Sequence, residues 1–125
     1  MEKKKILVID DEVDFTKTLK LNLDSCGKYE VLTENNGSNA LAVVRAFKPD
    51  LVLLDIMMPG LDGGEIAYQI ESDESINYTP IVFLTAAVTK EEVTSSKKGS
   101  IGGHVFIAKP VSFEDLLLCI EANIR

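Results

Sequence analysis

Five short apolar runs alternate with helix-like segments along this chain, and this alternation constrains the fold more than any other sequence feature. The runs lie at 6–9, 29–32, 51–54, 81–84 and 105–107. Four of them are almost continuously apolar and rich in β-branched residues, which is typical of parallel strands covered on both faces. The second run is more mixed and predicts an edge strand. The pattern therefore predicts repeated strand–helix units on a parallel sheet.

The 125 residues are close to the commonest size of one domain. Right-handed crossovers between five strand–helix units would give one doubly wound α/β domain over residues 1–125, with helices on both faces of a five-stranded parallel sheet. Ser38 is expected to cap the second helix and Ser112 the last one. The helix expected at 90–100 has Val93 as its only strongly apolar residue, so it should be marginal.

Charge and hydropathy exclude several classes of protein. The chain has 20 acidic residues against 13 basic ones, a net charge of -7, which disfavours direct binding to nucleic acid. No apolar stretch is long enough for a transmembrane helix, and the N-terminal apolar run is too short for a secretory signal. Cys26 and Cys119 are far apart in sequence and lack metal-ligand spacing. We therefore expect a cytoplasmic protein with two buried thiols.

Polar residues follow the predicted strands where they meet one sheet edge. Asp10 and Asp11 follow the first strand, Asp55 the third, Thr85 the fourth, and Lys109 comes two positions after the fifth. Each alone is explained by a helix cap, a turn or a surface residue, so their joint placement carries the information. Ligands of such sheets bind at the carboxyl ends of the strands.

Three close carboxylates repel one another unless a cation is bound or some are protonated. Oxygen ligands with room for water suit Mg²⁺. A metal, an ammonium and a hydroxyl around one carboxylate would form a site that transfers a phosphoryl group to that carboxylate. A carboxylate nucleophile needs no general base, and we expect the one histidine, His104, to lie in a loop without catalytic duty.

Four motifs resemble receiver domains of two-component response regulators, and together they span almost the whole chain. They are Ile9-Asp10-Asp11-Glu12, the stretch from Leu53 to Gly63, Leu84-Thr85-Ala86 and the stretch from Phe106 to Pro110. The resemblance implies the flavodoxin-like strand order 2-1-3-4-5. It also implies that a sensor kinase or phosphotransfer protein is the partner. Direct binding to nucleic acid or membrane is not expected, on the grounds of charge and hydropathy given above.

The resemblance assigns a role to each matching residue. Asp55 matches the aspartate that accepts the phosphoryl group, and Lys109 matches the lysine that pairs with it. Asp11, and Asp10 through water, match the Mg²⁺-binding acids, and the backbone carbonyl of Met57 completes that set. Two further matches form a switch and are the Thr85 hydroxyl and the aromatic ring of Phe106.

Departures from the family pattern affect the switch and the chemistry. Phe106 lacks a hydroxyl, so switching would rest on packing alone. Met57 and Ala87 match positions that, in the family, tune water access to the acyl phosphate, and neither offers a polar side chain. We therefore expect slow dephosphorylation, over minutes to hours. The resemblance also places a candidate output face, for a dimer or target, at Val93, Phe106, Leu118 and Cys119.

Two alternatives stay open at this point. An aspartate-nucleophile phosphatase would want an Asp-x-Asp motif after the first strand, where this chain has adjacent acids. A flavodoxin-like cofactor-binding module would want a Ser-, Thr- or Gly-rich phosphate loop there. We expect a signalling switch that catalyses its own phosphorylation, is not a turnover enzyme and has no output domain among these 125 residues.

Overall fold

The computed structural model describes residues 2–85, 100–101, 104–109 and 112–125. Within these residues the strands are β1 (Lys4–Ile9), β2 (Tyr29–Glu34), β3 (Leu51–Asp55), β4 (Met57–Met58), β5 (Leu61–Asp62), β6 (Ile81–Thr85), β7 (Ser100–Ile101) and β8 (His104–Ala108). The helices are α1 (Val13–Asp24), α2 (Ala40–Phe47), α3 (Gly63–Glu71) and α4 (Phe113–Asn123), and a short 3₁₀ turn spans Gly37–Asn39. Strands and helices therefore alternate along the described chain as the apolar runs predict.

Five strands run parallel in the order β2-β1-β3-β6-β8. Counted along the chain, this is the order 2-1-3-4-5, so the predicted fold class is confirmed. The mixed strand β2 lies at one end of the order, as its polar residues predict. The two-residue strand β7 adds an antiparallel partner to β8, and β4 with β5 forms a separate small hairpin.

The sheet separates two hydrophobic layers because successive strand residues point to opposite faces. In β3, Leu51 and Leu53 pack towards α1 and α4, whereas Val52 and Leu54 pack towards α2 and α3. All four side chains are fully buried. Helices thus cover both faces, which is the reason this strand is continuously apolar in sequence.

The helix caps agree with the sequence in one case and differ in another. The Ser112 side chain accepts a hydrogen bond from the Asp115 N–H at 3.1 Å, as predicted. The prediction for Ser38 is wrong, because the Asn36 side chain caps the 3₁₀ turn by accepting from the Ser38 N–H at 3.0 Å. This turn precedes α2 and moves the capping residue upstream.

Some predictions concern residues outside the described part of the chain, namely Ala87 and the predicted helix over 90–99 with Val93. Ser100, where this helix is predicted to end, lies in the strand β7 instead. Cys26 and Cys119 are both free thiols. We predicted that both are buried, but each is only half-buried. Among the described helices, none has the length and apolar character needed to cross a membrane.

Candidate functional site

The carboxyl ends of the parallel strands bring the predicted site residues to one edge. Asp10 directly follows β1, Asp55 ends β3, Thr85 ends β6, and Lys109 directly follows β8. The Lys109 N–H donates to the Thr85 carbonyl at 2.8 Å, which ties the ends of two neighbouring strands together. Parallel register therefore converts four residues that are distant in sequence into one cluster.

Asp10, Asp11 and Asp55 form a compact acidic cluster. Each offers a carboxylate oxygen, and these oxygens lie within 4.8 Å of one another. Asp10 is fully buried and Asp55 is 4% exposed, whereas Asp11 is more accessible. The buried Asp10 Oδ2 faces the Lys109 ammonium at 2.5 Å. Three clustered carboxylates carry more negative charge than this one ammonium offsets, and such a donor set fits a hard divalent cation such as Mg²⁺.

Lys109 is the positive charge that faces these acids. Its Nζ lies 2.5 Å from Asp10 Oδ2, 2.7 Å from Glu12 Oε1 and 3.7 Å from Asp55 Oδ2. The ammonium also lies 4.5 Å from the centre of the Phe15 ring, a cation–π contact. Burial lowers the pKa of Lys109, but the contacts with Asp10 and Glu12 outweigh it and the pKa is raised. Lys109 therefore stays charged at neutral pH.

Asp55 is held in an environment that disfavours its negative charge. Burial raises its pKa most, the Met57 backbone N–H lowers it, and the charge of Asp10 raises it again. Lys109 lowers it and Asp11 raises it, and the pKa is about 6 instead of 3.8. The Met57 N–H donates to Asp55 Oδ1 at 3.1 Å, so this oxygen is oriented by the main chain. The other oxygen, Oδ2, is the one nearer Lys109.

The turn after β3 packs against the strand end at Gly63. An added Cβ there would lie 2.4 Å from the Asp55 carbonyl oxygen and 2.6 Å from the Ile56 Cα. The Gly63 N–H also donates to the Ile56 carbonyl at 2.8 Å. A side chain at this position would therefore displace the backbone that carries Asp55.

The remaining predicted residues lie in different surroundings. Thr85 is 2% exposed at the end of β6. The Met57 side chain is 66% exposed, and this residue lies two positions after Asp55, next to the acidic cluster. Phe106 is buried, with its ring centre 5.0 Å from that of Phe83.

The candidate output face is only partly exposed in this structure. Leu118 is 65% exposed on α4. Cys119 is half-buried and packs against the core, and Phe106 belongs to the core on the other side of the sheet. Of the predicted residues that the structure describes, Leu118 therefore offers the most apolar surface, while Val93 lies outside the described residues.

His104 differs from its predicted place. It is the first residue of β8 and pairs with Ile101 of β7, so the strand begins earlier than the apolar run suggests. Its Nε2 lies 2.5 Å from Glu71 Oε2, and its ring meets Phe83 edge-on at 5.1 Å. These contacts hold β8 against α3, away from the acidic cluster.

The sequence reasoning missed two residues at the site. Glu12 belongs to the first motif, but the sequence assigns it no role. In the structure its carboxylate accepts a hydrogen bond from the Lys109 ammonium, 97 positions away in sequence. Asn35 had no signal at all, yet its side chain contacts the main chain of Asp10. The position of Asn35 directly after an edge strand, beside the acidic edge, is the one feature that could have drawn attention to it.

Comparisons with known proteins agree with this arrangement. A family model described as the response regulator receiver domain matches residues 6–121. The nisin biosynthesis regulatory protein NisR of Lactococcus lactis is 39% identical over 97% of this chain and 50% of its own length. The phosphate regulon regulatory protein PhoB of Pseudomonas aeruginosa is 37% identical over 98% of this chain and 52% of its own length. The chain thus spans about half the length of these curated relatives.

A solved structure has the same fold over nearly the whole chain. The chemotaxis protein CheY4 of Vibrio cholerae superposes with a TM-score of 0.81 and 27% sequence identity, over 97% of this chain and 98% of that protein. The family match, the relatives and the superposition all cover the acidic cluster and Lys109. The chain belongs to the response regulator receiver domains of two-component signal transduction systems.

Proposed function

We propose that this domain is a phosphoacceptor switch in which Asp55 takes a phosphoryl group from a phosphohistidine. The observation that carries the proposal is the placement of a buried Asp55 carboxylate beside both the acidic cluster and the Lys109 ammonium, 3.7 Å away. The donors would be a sensor histidine kinase or a phosphotransfer protein, as expected for the family. A cytoplasmic location, inferred from the sequence, stays a prediction.

The transfer forms one bond and breaks another. A carboxylate oxygen of Asp55 would attack phosphorus, and the phosphorus–nitrogen bond of the phosphohistidine would break. Its electron pair would stay on that ring nitrogen, and the ring, protonated on its other nitrogen, would leave as neutral imidazole. Asp55 Oδ1 is already held by the Met57 N–H, so Oδ2, on the side of Lys109, is the better-placed nucleophile. No general base is required, because the carboxylate is ionised above its pKa of about 6.

Asp10, Asp11, Asp55 and the Met57 carbonyl would hold Mg²⁺. The ion would supply positive charge to the phosphoryl oxygens. Lys109 supplies a second positive charge from the protein itself. Its contacts with Asp10 and Glu12 keep it beside the reacting carboxylate before transfer. The Thr85 hydroxyl and the Phe106 ring are proposed to pass the change on, by movement of the hydroxyl towards the phosphoryl group.

Incubation with acetyl phosphate and Mg²⁺, followed by intact mass spectrometry, tests this function. The expected result is a gain of one phosphoryl group that is absent in Asp55→Asn and in samples with excess chelator. Glu30→Gln, which removes an exposed carboxylate on β2, should behave as the wild type. Rapid release of phosphate without a detectable phosphoprotein would instead favour the phosphatase alternative. Absence of any phosphorylation of the wild type in the presence of Mg²⁺ would overturn the proposal.

A further inference from the structure

Two consecutive residues form hydrogen bonds with the main chain of Asp10, one at its N–H and one at its carbonyl. They are Glu34, the last residue of β2, and Asn35, which follows it. The Asp10 N–H donates to the Glu34 carbonyl at 3.1 Å. The Asn35 side-chain Nδ2 donates to the Asp10 carbonyl at 2.8 Å. The first bond continues the strand pairing, whereas the second depends on one side chain.

The Asn35 amide uses both of its hydrogens in this position. Besides the Asp10 carbonyl, Nδ2 lies 2.9 Å from Thr16 Oγ1, and that hydroxyl donates in turn to the Val13 carbonyl at 2.9 Å. Thr16 is 1% exposed and Asn35 is half-buried, so this chain of bonds is partly shielded from water. The loop after β2, the Asp10 peptide and the first turn of α1 are therefore joined through Asn35.

Removal of this amide would leave a buried carbonyl without its partner. Asp10 is fully buried, and a buried carbonyl that loses its hydrogen bond is costly, so the peptide would rotate or admit water. A rotation of the peptide would move the attached carboxylate. The Asp10 carboxylate is already anchored at one oxygen, because Oδ1 accepts from the Glu12 N–H at 2.9 Å. The fixed main chain and the anchored Oδ1 together hold the Asp10 carboxylate in the acidic cluster, with Oδ2 facing Lys109.

We propose that Asn35 is a positioning residue for Mg²⁺ binding, acting through the main chain of Asp10 and supported by Thr16. This inference rests on the Mg²⁺ site of the proposed function. Residues that orient metal ligands without touching the metal commonly change affinity by about 10–100-fold when they are replaced. Asn35 is such a residue for Asp10. Its hydrogen bond orients the main chain of Asp10 and does not change the charge of the Asp10 carboxylate.

The experiment measures metal affinity directly, by calorimetric titration of each protein with Mg²⁺. Asn35→Ala is expected to raise the Mg²⁺ dissociation constant by about tenfold or more. Asn39→Ala is the matched control, because Asn39 lies in the same loop and contacts the Glu34 side chain, not Asp10. Its dissociation constant should stay within about twofold of the wild type, given the usual small effect of exposed substitutions.

A second readout separates positioning from a general loss of structure. At saturating Mg²⁺, the rate of phosphorylation by acetyl phosphate should be the same in Asn35→Ala and the wild type within about threefold, since lost metal affinity is then overcome. Equal losses at all Mg²⁺ concentrations would indicate a damaged fold and overturn the proposal. An Asn35→Ala dissociation constant within about twofold of the wild type would also overturn it.

A pair of variants at Thr16 keeps the test decisive if Asn35→Ala does not fold. Thr16→Val removes the oxygen that holds the second amide hydrogen while preserving shape, and Thr16→Ser keeps that oxygen. Weaker Mg²⁺ binding in the valine variant alone supports the proposal, and equal binding in both overturns it. A wild-type protein that binds no Mg²⁺ would remove the proposed metal site itself, which distinguishes the two failures.

Discussion

Ionisation of Asp55 should oppose folding of the metal-free protein, and Asp55→Asn should therefore stabilise it. Burial raises the pKa of this carboxyl group from 3.8 to about 6, with Asp10 and Asp11 adding to the effect against the Met57 N–H and Lys109. A group whose pKa is raised by folding contributes stability below its unfolded pKa. That contribution is lost as the pH rises through the folded pKa. The asparagine side chain stays neutral and so avoids the loss.

The magnitude follows from the two pKa values. The difference between 3.8 and about 6, at about 1.4 kcal/mol per unit, corresponds to about 3 kcal/mol at a pH above 7. At about pH 5 the same linkage leaves roughly half of this difference, near pH 4 about 0.5 kcal/mol, and below about pH 3 it vanishes. For a domain of this size the full effect is a rise of roughly 10 °C in melting temperature.

Urea unfolding followed by circular dichroism would measure the effect at several pH values in chelator. Asp55→Asn should gain its full advantage near neutral pH and lose it as the pH falls. Glu30→Gln, on the exposed surface of β2, should differ from the wild type by less than about 0.5 kcal/mol throughout. Millimolar Mg²⁺ should stabilise the wild type more than the Asp55→Asn variant. Equal stability of both proteins at neutral pH, or a difference that does not change with pH, would refute this reasoning.

Four further predictions concern other parts of the chain. Gly63→Ala should cost about 2–4 kcal/mol in urea unfolding, because its Cβ would meet backbone atoms beneath Asp55 at 2.4 and 2.6 Å, and an unchanged midpoint would contradict the close packing. Hydrogen bonds from Ser75 lower the pKa of Asp73 from 3.8 to about 2, so its stabilisation is present above pH 3.8 and lost as the pH falls towards 2. NMR titration should show that pKa rise in Ser75→Ala. The acyl phosphate on Asp55 should have a half-life of minutes to hours in Mg²⁺, because the nearby Met57 side chain is apolar. A measured half-life of seconds would contradict this. Leu118→Lys should change unfolding by less than about 0.5 kcal/mol but weaken association of the phosphorylated domain, measured by light scattering, and unchanged association would remove Leu118 from the output face.

The sequence predicts which residues meet at the site, because all parallel sheets bring the carboxyl ends of their strands to one edge. Once the apolar runs are recognised as strands, the residues after them must meet at one edge, and the structure brings Asp10, Asp55, Thr85 and Lys109 together there. Their exact partners were not predictable, because a contact such as Lys109 with Glu12 depends on side-chain conformation across 97 positions. The resemblance to receiver domains supplied the roles of these residues, which periodicity alone does not.

Local errors have a common cause. Ser38 satisfied the composition of a helix cap, but the 3₁₀ turn before α2 made Asn36 the acceptor instead. His104 looked like a loop residue, but pairing with the short strand β7 extended β8 to include it. In both cases a neighbouring segment supplied hydrogen bonds that local sequence preferences do not encode.

The sequence by itself determined the strand–helix alternation, the covered parallel sheet and the set of acids and lysine at its edge. It did so because burial on both faces requires continuous apolar runs, and because chain direction decides which residues leave each strand. The tertiary structure alone decided that Asp55 is buried enough for its pKa to be about 6. It also decided that Asn35 fastens the main chain of Asp10. Both depend on distances between residues far apart in sequence, and such distances exist only after the chain has packed.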